Sequence, residues 1–334
     1  MSDRRRFFRE LLQEAAGVAH ELSSALQAAN EPDEWRPPPP VPARPATGLV
    51  DEGALADLCR ELGLGRRAAD ARRVARVSLR LTRRGAAAGA EIVRSYLGGS
   101  PDLPPDFAWP SWNGRDLAFL AQIELSAIAA AGAHGVLPPH GLLLFFYDLA
   151  RLPSGLSPSH RGSCRVVAVA GELERDERRS PALPTLPIEV SAELMLPGAW
   201  SFQAEELELS PDELDTWDAL RARLALAQGV ELEEASAERF ALHRLLGFPE
   251  EIGREIEVDC ELASAGLNAD DADVYYESRA HHEAAARTWR LLLQLSADDS
   301  LGLWTAREFE RLYVCIRESD LRARNFDGAW AALR

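Results

Sequence analysis

The sequence predicts an α+β protein with two related lobes from an internal duplication, built mainly of antiparallel sheets with flanking helices, plus an N-terminal helical arm. Three observations favour this class. Short apolar runs bounded by Gly, Pro or polar residues, as at residues 141–147, are typical of strands. Longer stretches with apolar residues three or four positions apart, as after Ser210, are typical of helices. The same order of a Gly-Pro turn, a predicted strand that carries a glutamine and an apolar strand also occurs twice along the chain.

The composition excludes several functional classes. A chain of 334 residues with 46% hydrophobic residues is long enough for two lobes and their cores. No apolar run approaches the roughly 20 residues of a transmembrane helix, so no integral membrane association is expected. A net charge of −16 argues against nucleic-acid binding, which needs clustered positive charge. All 37 basic residues are arginine, which is typical of a GC-rich bacterial genome.

The cysteines predict a reducing compartment. Cys59, Cys164, Cys260 and Cys315 are scattered, and no C-x-x-C pair occurs. We therefore expect a cytoplasmic protein with buried thiols and without a zinc site. The adjacent histidines His281 and His282 lie on a predicted helix, where they point to different faces. No metal and no cofactor is expected, since no phosphate-binding loop, nucleophile elbow or H-E-x-x-H motif occurs either.

Residues 1–35 are predicted to form an amphipathic N-terminal helix. Its apolar stripe follows helical spacing and comprises Phe8, Leu11, Leu12, Ala15, Val18, Ala19, Leu22 and Leu26. The stripe must be buried against the body of the protein, a protein partner or a membrane surface; residues 4–26 are thus one possible partner site. Residues 36–48 are Pro-rich and are predicted to be a stiff, extended linker.

A predicted helix at residues 51–62 precedes an Arg-rich segment at residues 66–84. This segment is the one basic stretch of an acidic chain and carries Arg66, Arg67, Arg72, Arg73, Arg76, Arg80, Arg83 and Arg84. Two interpretations remain open. The arginines pair with the acidic body, or they form a contact surface for an acidic partner or anion. The alternating pattern at residues 77–81 predicts a strand.

Residues 97–148 contain the densest set of structural motifs. They read LGGSPDLP at 97–104, FAWP at 107–110, FLAQI at 119–123 and LPPHGLLLFFYD at 137–148. These motifs and their spacing resemble the YwqG-like family, a domain of unknown function (DUF1963), and a weaker resemblance extends to the C-terminus. The resemblance implies an α+β fold and assigns no firm activity.

Gln122 and the two tryptophans of this stretch are candidates for function. Gln122 interrupts an apolar strand, so its amide is either a structural clamp on a neighbouring loop or a ligand contact. Trp109 and Trp112 are either packing residues or ligand platforms. Asn113-Gly114 predicts a tight hairpin turn before the strand that carries Gln122.

The middle of the chain is predicted to hold strands at residues 164–170, 188–194 and 200–202. A helix is predicted from a capping box at Ser210 and Glu213, with Pro211 in its first position, to about residue 228.

The second occurrence of the motif order begins near residue 243. HRLLGFP at 243–249 resembles the stretch at 96–101, WRLLLQLS at 289–296 resembles 118–125, and Gln294 falls where Gln122 does. We therefore predict a first lobe at 49–240 and a second at 241–334. The second lobe departs from the family pattern at Gly253, at residues 305–307 and at Asn325. If the family has a chemical site built on these positions, this chain is expected to lack it.

Two functional hypotheses follow. The first is a binding or protein-interaction module, with Gln122, Gln294, Trp109 and Trp304 as candidate ligand-binding residues and either residues 4–26 or the Arg-rich segment as partner site. The alternative is a hydrolase whose general acid/base carboxylates meet in a groove between the lobes. Its candidate catalytic residues are Glu124, Asp298 and Asp299.

Overall fold

The computed structural model describes residues 50, 52–84, 94–130, 137–199, 201–230, 243–250, 254–298, 300–303 and 311–334. The predicted N-terminal helix and the Pro-rich linker lie outside these residues, so neither is tested. No helix in the described part of the chain is both long and apolar enough to cross a membrane.

The described strands, numbered in chain order, are β1 Arg76–Arg83, β2 Tyr96–Leu97, β3 Asp102–Leu103, β4 Ser111–Trp112, β5 Arg115–Asp116, β6 Ala118–Glu124, β7 Leu142–Tyr147, β8 Cys164–Val169, β9 Glu174–Arg175, β10 Leu186–Met195, β11 His243–Leu246, β12 Trp289–Ser296, β13 Arg311–Arg317 and β14 Trp330–Leu333. The described α-helices are α1 Glu52–Glu61, α2 Ala68–Val74, α3 Leu125–Ala130, α4 Phe202–Glu205, α5 Pro211–Ala227, α6 Ile256–Ser264, α7 Ala272–Ala286 and α8 Glu318–Arg322. This mixture of helices and strands confirms the predicted α+β class.

One antiparallel sheet of ten strands dominates the fold, in the order β14-β13-β12-β11-β1-β10-β2-β6-β7-β8. We call β10, β2, β6, β7 and β8 half A, and β1, β11, β12, β13 and β14 half B. The two halves join through the long pairing of β1 with β10, from Arg76↔Met195 to Arg83↔Ile188. In chain order β1 precedes the strands of half A, yet it lies in half B beside β11. β10 follows β8 and lies in half A beside β2.

The sheet curls until its two edges approach each other, so it is nearly a barrel. The loop between β7 and β8 reaches the last strand, where Leu333 N–H donates to Ser154 O at 3.0 Å. The indole of Trp330 donates to Gly155 O at 2.8 Å. Arg165 of β8 pairs with Asp327, just before β14, at 2.9 Å. We call this meeting of edges the seam.

The main core fills the inside of the curled sheet. Inward-facing residues of both halves form one continuous cluster, with members such as Leu79, Phe145, Leu245, Leu293 and Val314 that are at most 1% exposed. Burial of each such side chain contributes about 1.5–3 kcal/mol, so this cluster ties the two halves into one folding unit.

The outer faces of the two halves are covered differently. In half B, Ile256 and Cys260 of α6 pack on Trp289, Tyr313 and Trp330. In half A, loops and the short strands cover Tyr96, Phe119 and Phe146 with partly buried aromatic rings. Helices α1, α2 and α5 form a further layer around Trp217 and Leu220. The loop-covered face of half A carries the partly exposed rings of Trp109 and Trp112.

Local sequence signals explain most elements. The capping box at Ser210 and Glu213 begins α5 as predicted, and Asn113 and Gly114 both adopt positive φ in the turn between β4 and β5. The strand predicted at 200–202 is wrong. Ser201 instead caps the short helix α4, because its side chain accepts from Ala204 N–H and fixes the first helical turn.

Candidate functional site

Gln122 holds the loop that follows β2. Its Oε1 accepts hydrogen bonds from Asp102 N–H at 2.8 Å and from the Tyr96 hydroxyl at 2.9 Å. Its Nε2 donates to Arg94 O at 3.0 Å and to the Asp102 carboxylate at 2.9 Å. These four contacts use the donors and acceptors of a fully buried amide. This geometry matches the structural-clamp interpretation of Gln122; its role as a ligand contact stays a prediction.

Gln294 occupies the same place in half B. Its Oε1 accepts from Glu250 N–H at 2.9 Å, and the side chain is fully buried. A second pair of contacts also matches: Ser95 Oγ accepts from Glu124 N–H at 2.9 Å, and His243 Nδ1 accepts from Ser296 N–H at 3.2 Å. In half A the strand with the glutamine is hydrogen-bonded to the loop after β2, and in half B it is hydrogen-bonded to the loop after β11.

The surroundings of the two glutamines differ in charge. Gln122 pairs across the sheet with Tyr96, whereas Gln294 pairs with Arg244. Arg244 is 3% exposed and lies 3.6 Å from both Glu193 and Glu250. A buried guanidinium between two carboxylates is a compensated ionic cluster, so we assign it a structural role in half B.

The candidate carboxylates do not meet. β6 and β12 are five steps apart in an all-antiparallel order, so they run in opposite directions and their C-terminal ends lie at opposite ends of the sheet. Glu124 ends β6 and lies 4.0 Å from Arg94, whereas Asp298 follows β12. The structure therefore does not form the groove in which the hydrolase hypothesis joins these two groups. Asp299 lies outside the described residues.

Asp298 belongs to a hydrogen-bonded turn. Its Oδ2 lies 3.0 Å from His243 Nε2, and its Oδ1 accepts from Ser300. The hydrogen bond from His243 holds the pKa of this carboxyl well below its usual range. In a nucleophilic triad the histidine lies between the hydroxyl and the carboxylate. Here the carboxylate lies in the middle, so His243, Asp298 and Ser300 do not form such a triad.

The outer face of half A carries stacked tryptophan and arginine side chains. Trp109 donates its indole N–H to Leu117 O at 2.9 Å and packs edge-on against Phe146. The guanidinium of Arg179 lies 4.4 Å from the Trp109 ring centroid, and that of Arg151 lies 5.6 Å from the Trp112 centroid. We call Trp109, Trp112, Arg115, Arg151 and Arg179 the aromatic–arginine face. The fourth candidate ligand residue, Trp304, lies outside the described part of the chain.

Both tryptophans of this face are half-buried, so part of each ring reaches solvent. Asn113 and Gly114 close a two-residue turn that places Arg115 directly opposite Trp112. The ring of His160 lies edge-on to Trp112 at 6.4 Å. The hairpin therefore presents an anchored indole beside exposed cationic groups.

The Arg-rich segment at 66–84 does not form one continuous basic surface. Arg67 makes a forked contact with Glu213 at 2.8 and 3.0 Å, and Arg66 binds the same carboxylate at 3.0 Å. Arg80 donates to Gln228 O at the end of α5, and burial lowers the pKa of Arg76 to about 10. Arg66 and Arg67 thus pair with a carboxylate of the body, whereas the use of this segment as a contact surface for an acidic partner stays a prediction.

Metal chemistry finds no support among the described residues, where no group of three or more His, Cys, Asp or Glu side chains is placed to hold an ion. The four cysteines are free and buried. Burial raises the pKa of the Cys164 thiol to about 12, which keeps it protonated and unreactive.

Sequence reasoning missed two features. Arg151 and Arg179 stack on tryptophans about 40 to 70 positions away along the chain, so no local pattern reveals them. The hairpin signal Trp112-Asn113-Gly114-Arg115 does predict the pairing of Arg115 with Trp112, because a two-residue turn sets these residues opposite each other.

The chain resembles known proteins at the level of a family. No curated protein matches the chain significantly. The family model described as "Domain of unknown function (DUF1963)" matches residues 95–334, which include every strand of the large sheet except β1. Since this match covers well over half of the sequence, the chain belongs to the DUF1963 family.

Proposed function

We propose that this protein is a protein-interaction module that recognises its partner through the aromatic–arginine face. The observation that supports this most is the pair of half-exposed indoles, Trp109 and Trp112, each stacked by a guanidinium. Trp and Arg are the residue types that most often dominate binding energy at protein interfaces. A surface that already orders them loses little side-chain entropy when a partner binds.

The position of the face also favours recognition. Trp109 is fixed by its hydrogen bond to Leu117 O and by Phe146, and Trp112 is carried by the β4–β5 hairpin. Rigid strands beneath and short loops above are the usual arrangement of a binding surface, because the scaffold positions the contact residues.

A peptide selection tests this proposal. We expect a random peptide library panned on the native protein to yield sequences that bind it and do not bind W112A. Tyr276→Ala is the matched control, since Tyr276 is an exposed aromatic residue of α7, outside the proposed face. Equal recovery of the same peptides on the native protein and on folded W112A would disprove a role for the face.

We also propose that halves A and B descend from an internal duplication. Four matching features support it. The hydrogen bonds of Gln122 and Gln294 correspond, as do those that Ser95 and His243 accept. The pairings β6–β7 and β12–β13 both shift register two residues before the glutamine. The chain takes positive φ directly after β2, at Gly98 and Gly99, and at the end of β11, at Leu246 and Gly247.

The cellular setting is part of the proposal. Four free, buried cysteines support a reducing, cytoplasmic location in a bacterial cell. The N-terminal segment 4–26 remains a proposed second contact site, because its apolar stripe needs a surface to cover it.

Deletion of residues 1–46 tests this second contact. If the segment is a tethered contact arm, the truncated protein keeps the melting temperature of the full chain within about 1 °C and loses peptides or partners that the full chain captures. A drop of several degrees, measured by differential scanning calorimetry, would instead mean that the segment docks on the body. Retention of every partner would also contradict the arm proposal.

A further inference from the structure

Resting on the function proposed above, we infer that the partner segment is acidic and that it binds beside Trp112, against Arg115 and Arg151. The first step is geometric. Trp112 and Arg115 are directly opposite in the β4–β5 hairpin, so their side chains leave the same face of the ribbon. The Arg151 guanidinium lies over the Trp112 ring. Two cations therefore flank one indole.

The second step concerns compensation of charge. The other arginines of this layer have carboxylate partners: Arg175 pairs with Asp102 at 2.6 Å, Arg178 with Asp176 at 2.7 Å and Arg179 with Asp116 at 3.4 Å. Within the described part of the chain, Arg115 and Arg151 make no ion pair, and both are exposed. Their guanidinium forks are thus available for bidentate contact with carboxylates.

The third step identifies the class of partner. An exposed Trp with arginines also suits the bases and phosphates of single-stranded nucleic acid. Such a polyanion is disfavoured here by the net charge of −16 and by exposed carboxylates in the same layer, such as Asp106, Glu174 and Glu177. A short acidic peptide places a few carboxylates on Arg115 and Arg151 and an apolar side chain on Trp112, without crossing those carboxylates.

Fluorescence anisotropy with labelled probes tests the inference on the full-length protein. The probes are a peptide of Glu and Phe, the same peptide with Gln for Glu, the same with Lys for Glu, and an oligothymidylate. We expect only the Glu peptide to bind, with at least tenfold weaker affinity for R151E and for R115E. An increase of salt from 50 to 500 mM should also weaken it, because the contacts are exposed ion pairs.

Matched variants separate this inference from the proposed function. Arg324→Glu changes an exposed arginine that follows α8 by the same charge and should leave binding unchanged. If the Gln or Lys peptide binds as tightly and W112A abolishes this, the face is an interaction site and the acidic partner is wrong. Binding of the oligothymidylate with the same dependence on Trp112 would also overturn it. If R324E weakens binding of the Glu peptide as much as R151E does, only net charge matters and the proposed site is wrong.

If none of the four probes binds, the inference fails, and the peptide selection still decides on the proposed function. W112A loses packing as well as contact area, so the two charge-reversal variants, which keep the ring, provide the decisive measurement. Thermal unfolding of each variant confirms that the loss of anisotropy comes from the surface and not from unfolding.

Discussion

The two buried glutamines are the residues through which each half holds its neighbouring loop. Gln122 saturates its amide with two backbone groups, one hydroxyl and one carboxylate. Removal of such a hub leaves several buried groups unsatisfied, and each costs about 1–3 kcal/mol. A residue of this kind stabilises the fold whether or not a ligand lies nearby.

Substitution Gln122→Leu should therefore lower the free energy of unfolding by about 3 kcal/mol or more, because Asp102 N–H and Arg94 O lose their partner. Urea denaturation monitored by circular dichroism measures this. Gln203→Leu on α4 is the control, since the Gln203 side chain makes no hydrogen bond to another described residue. A Q122L protein as stable as Q203L would contradict the clamp.

Glu213 predicts a pH dependence of stability. The forked hydrogen bonds from Arg67 hold the pKa of this carboxyl far below its unfolded value of 4.5. A folded pKa below the unfolded pKa means that the unfolded chain binds the proton first, so this stabilisation is complete above about pH 5 and is lost as the pH falls. E213Q should be less stable than the native protein at pH 7.

The difference between E213Q and the native protein should shrink steadily from pH 5 towards pH 3, because Glu213 takes up a proton in the unfolded chain over this range while it stays ionised in the folded protein. Unfolding by urea at a series of pH values gives both curves. A gap that stays constant over this range would show that Glu213 acts through the neutral hydrogen bonds of the capping box alone.

At the scale of elements, the seam depends on a close approach of two backbones. Gly155 has φ of 80°, and a Cβ built on it would lie 1.8 Å from Ala331 O. Any side chain there would push the loop between β7 and β8 away from β14. The hydrogen bonds from Trp330 and Leu333 to this loop would then lengthen or break.

We therefore expect Gly155→Ala to lower the free energy of unfolding by about 2–5 kcal/mol, the sum of overpacking and an unfavourable φ. Gly171→Ala is the matched control, because Gly171 also has positive φ, 95°, but no atom within 4 Å of the added methyl group. G171A should lose only about 1–2 kcal/mol. If G155A and G171A lose equal stability in chemical denaturation, the close approach of the two backbones at the seam does not constrain residue 155.

The helices and strands were easier to predict from the sequence than the candidate sites. Period-two and apolar runs located β1, β6, β7, β8 and β12 because a strand shows its burial directly in its residue pattern. The failure at residues 200–202 has a physical cause. Ser201 caps a helical turn through its side chain, and a cap weighs more than the β-propensity of an aromatic residue beside it.

Candidate sites were harder to predict because they depend on long-range placement. The periodicity of β6 and β12 gave Gln122 and Gln294 their strand positions, yet it could not reveal that these strands run in opposite directions. That direction separates Glu124 from Asp298. Likewise, the contact of Arg151 with Trp112 is set by the loop after β7 and not by any spacing in the sequence.

At the scale of the whole molecule, β1 and β10 each pair with strands of both halves, an arrangement that we call the strand exchange. β1 precedes every other strand of the sheet in sequence but pairs with β10 and β11, both from the later part of the chain. A cut after Ser180, in an exposed stretch, separates residues 1–180 from 181–334. Each fragment then lacks the strand that completes its own half.

We expect neither fragment to fold alone, since each leaves long unpaired strands. Co-expression should restore the complex with a far-ultraviolet circular dichroism spectrum like that of the intact chain, and the two fragments should elute together in size-exclusion chromatography. A stable monomeric fragment 181–334 would show that half B does not need β1 and would contradict the exchange as an essential feature.

The exchanged strands have an evolutionary consequence. If the halves arose by the duplication that we propose, the ancestral chain had one copy. Such a chain would have completed its sheet by exchanging its first strand with an identical chain in a symmetric dimer. On the same proposal, fusion of two gene copies would have made this exchange permanent and let each half change independently. Half A now has Tyr96 beside its glutamine and an outer face covered by loops, whereas half B has Arg244 and a covering helix. The proposed binding surface and the buried ionic cluster would then belong to different copies.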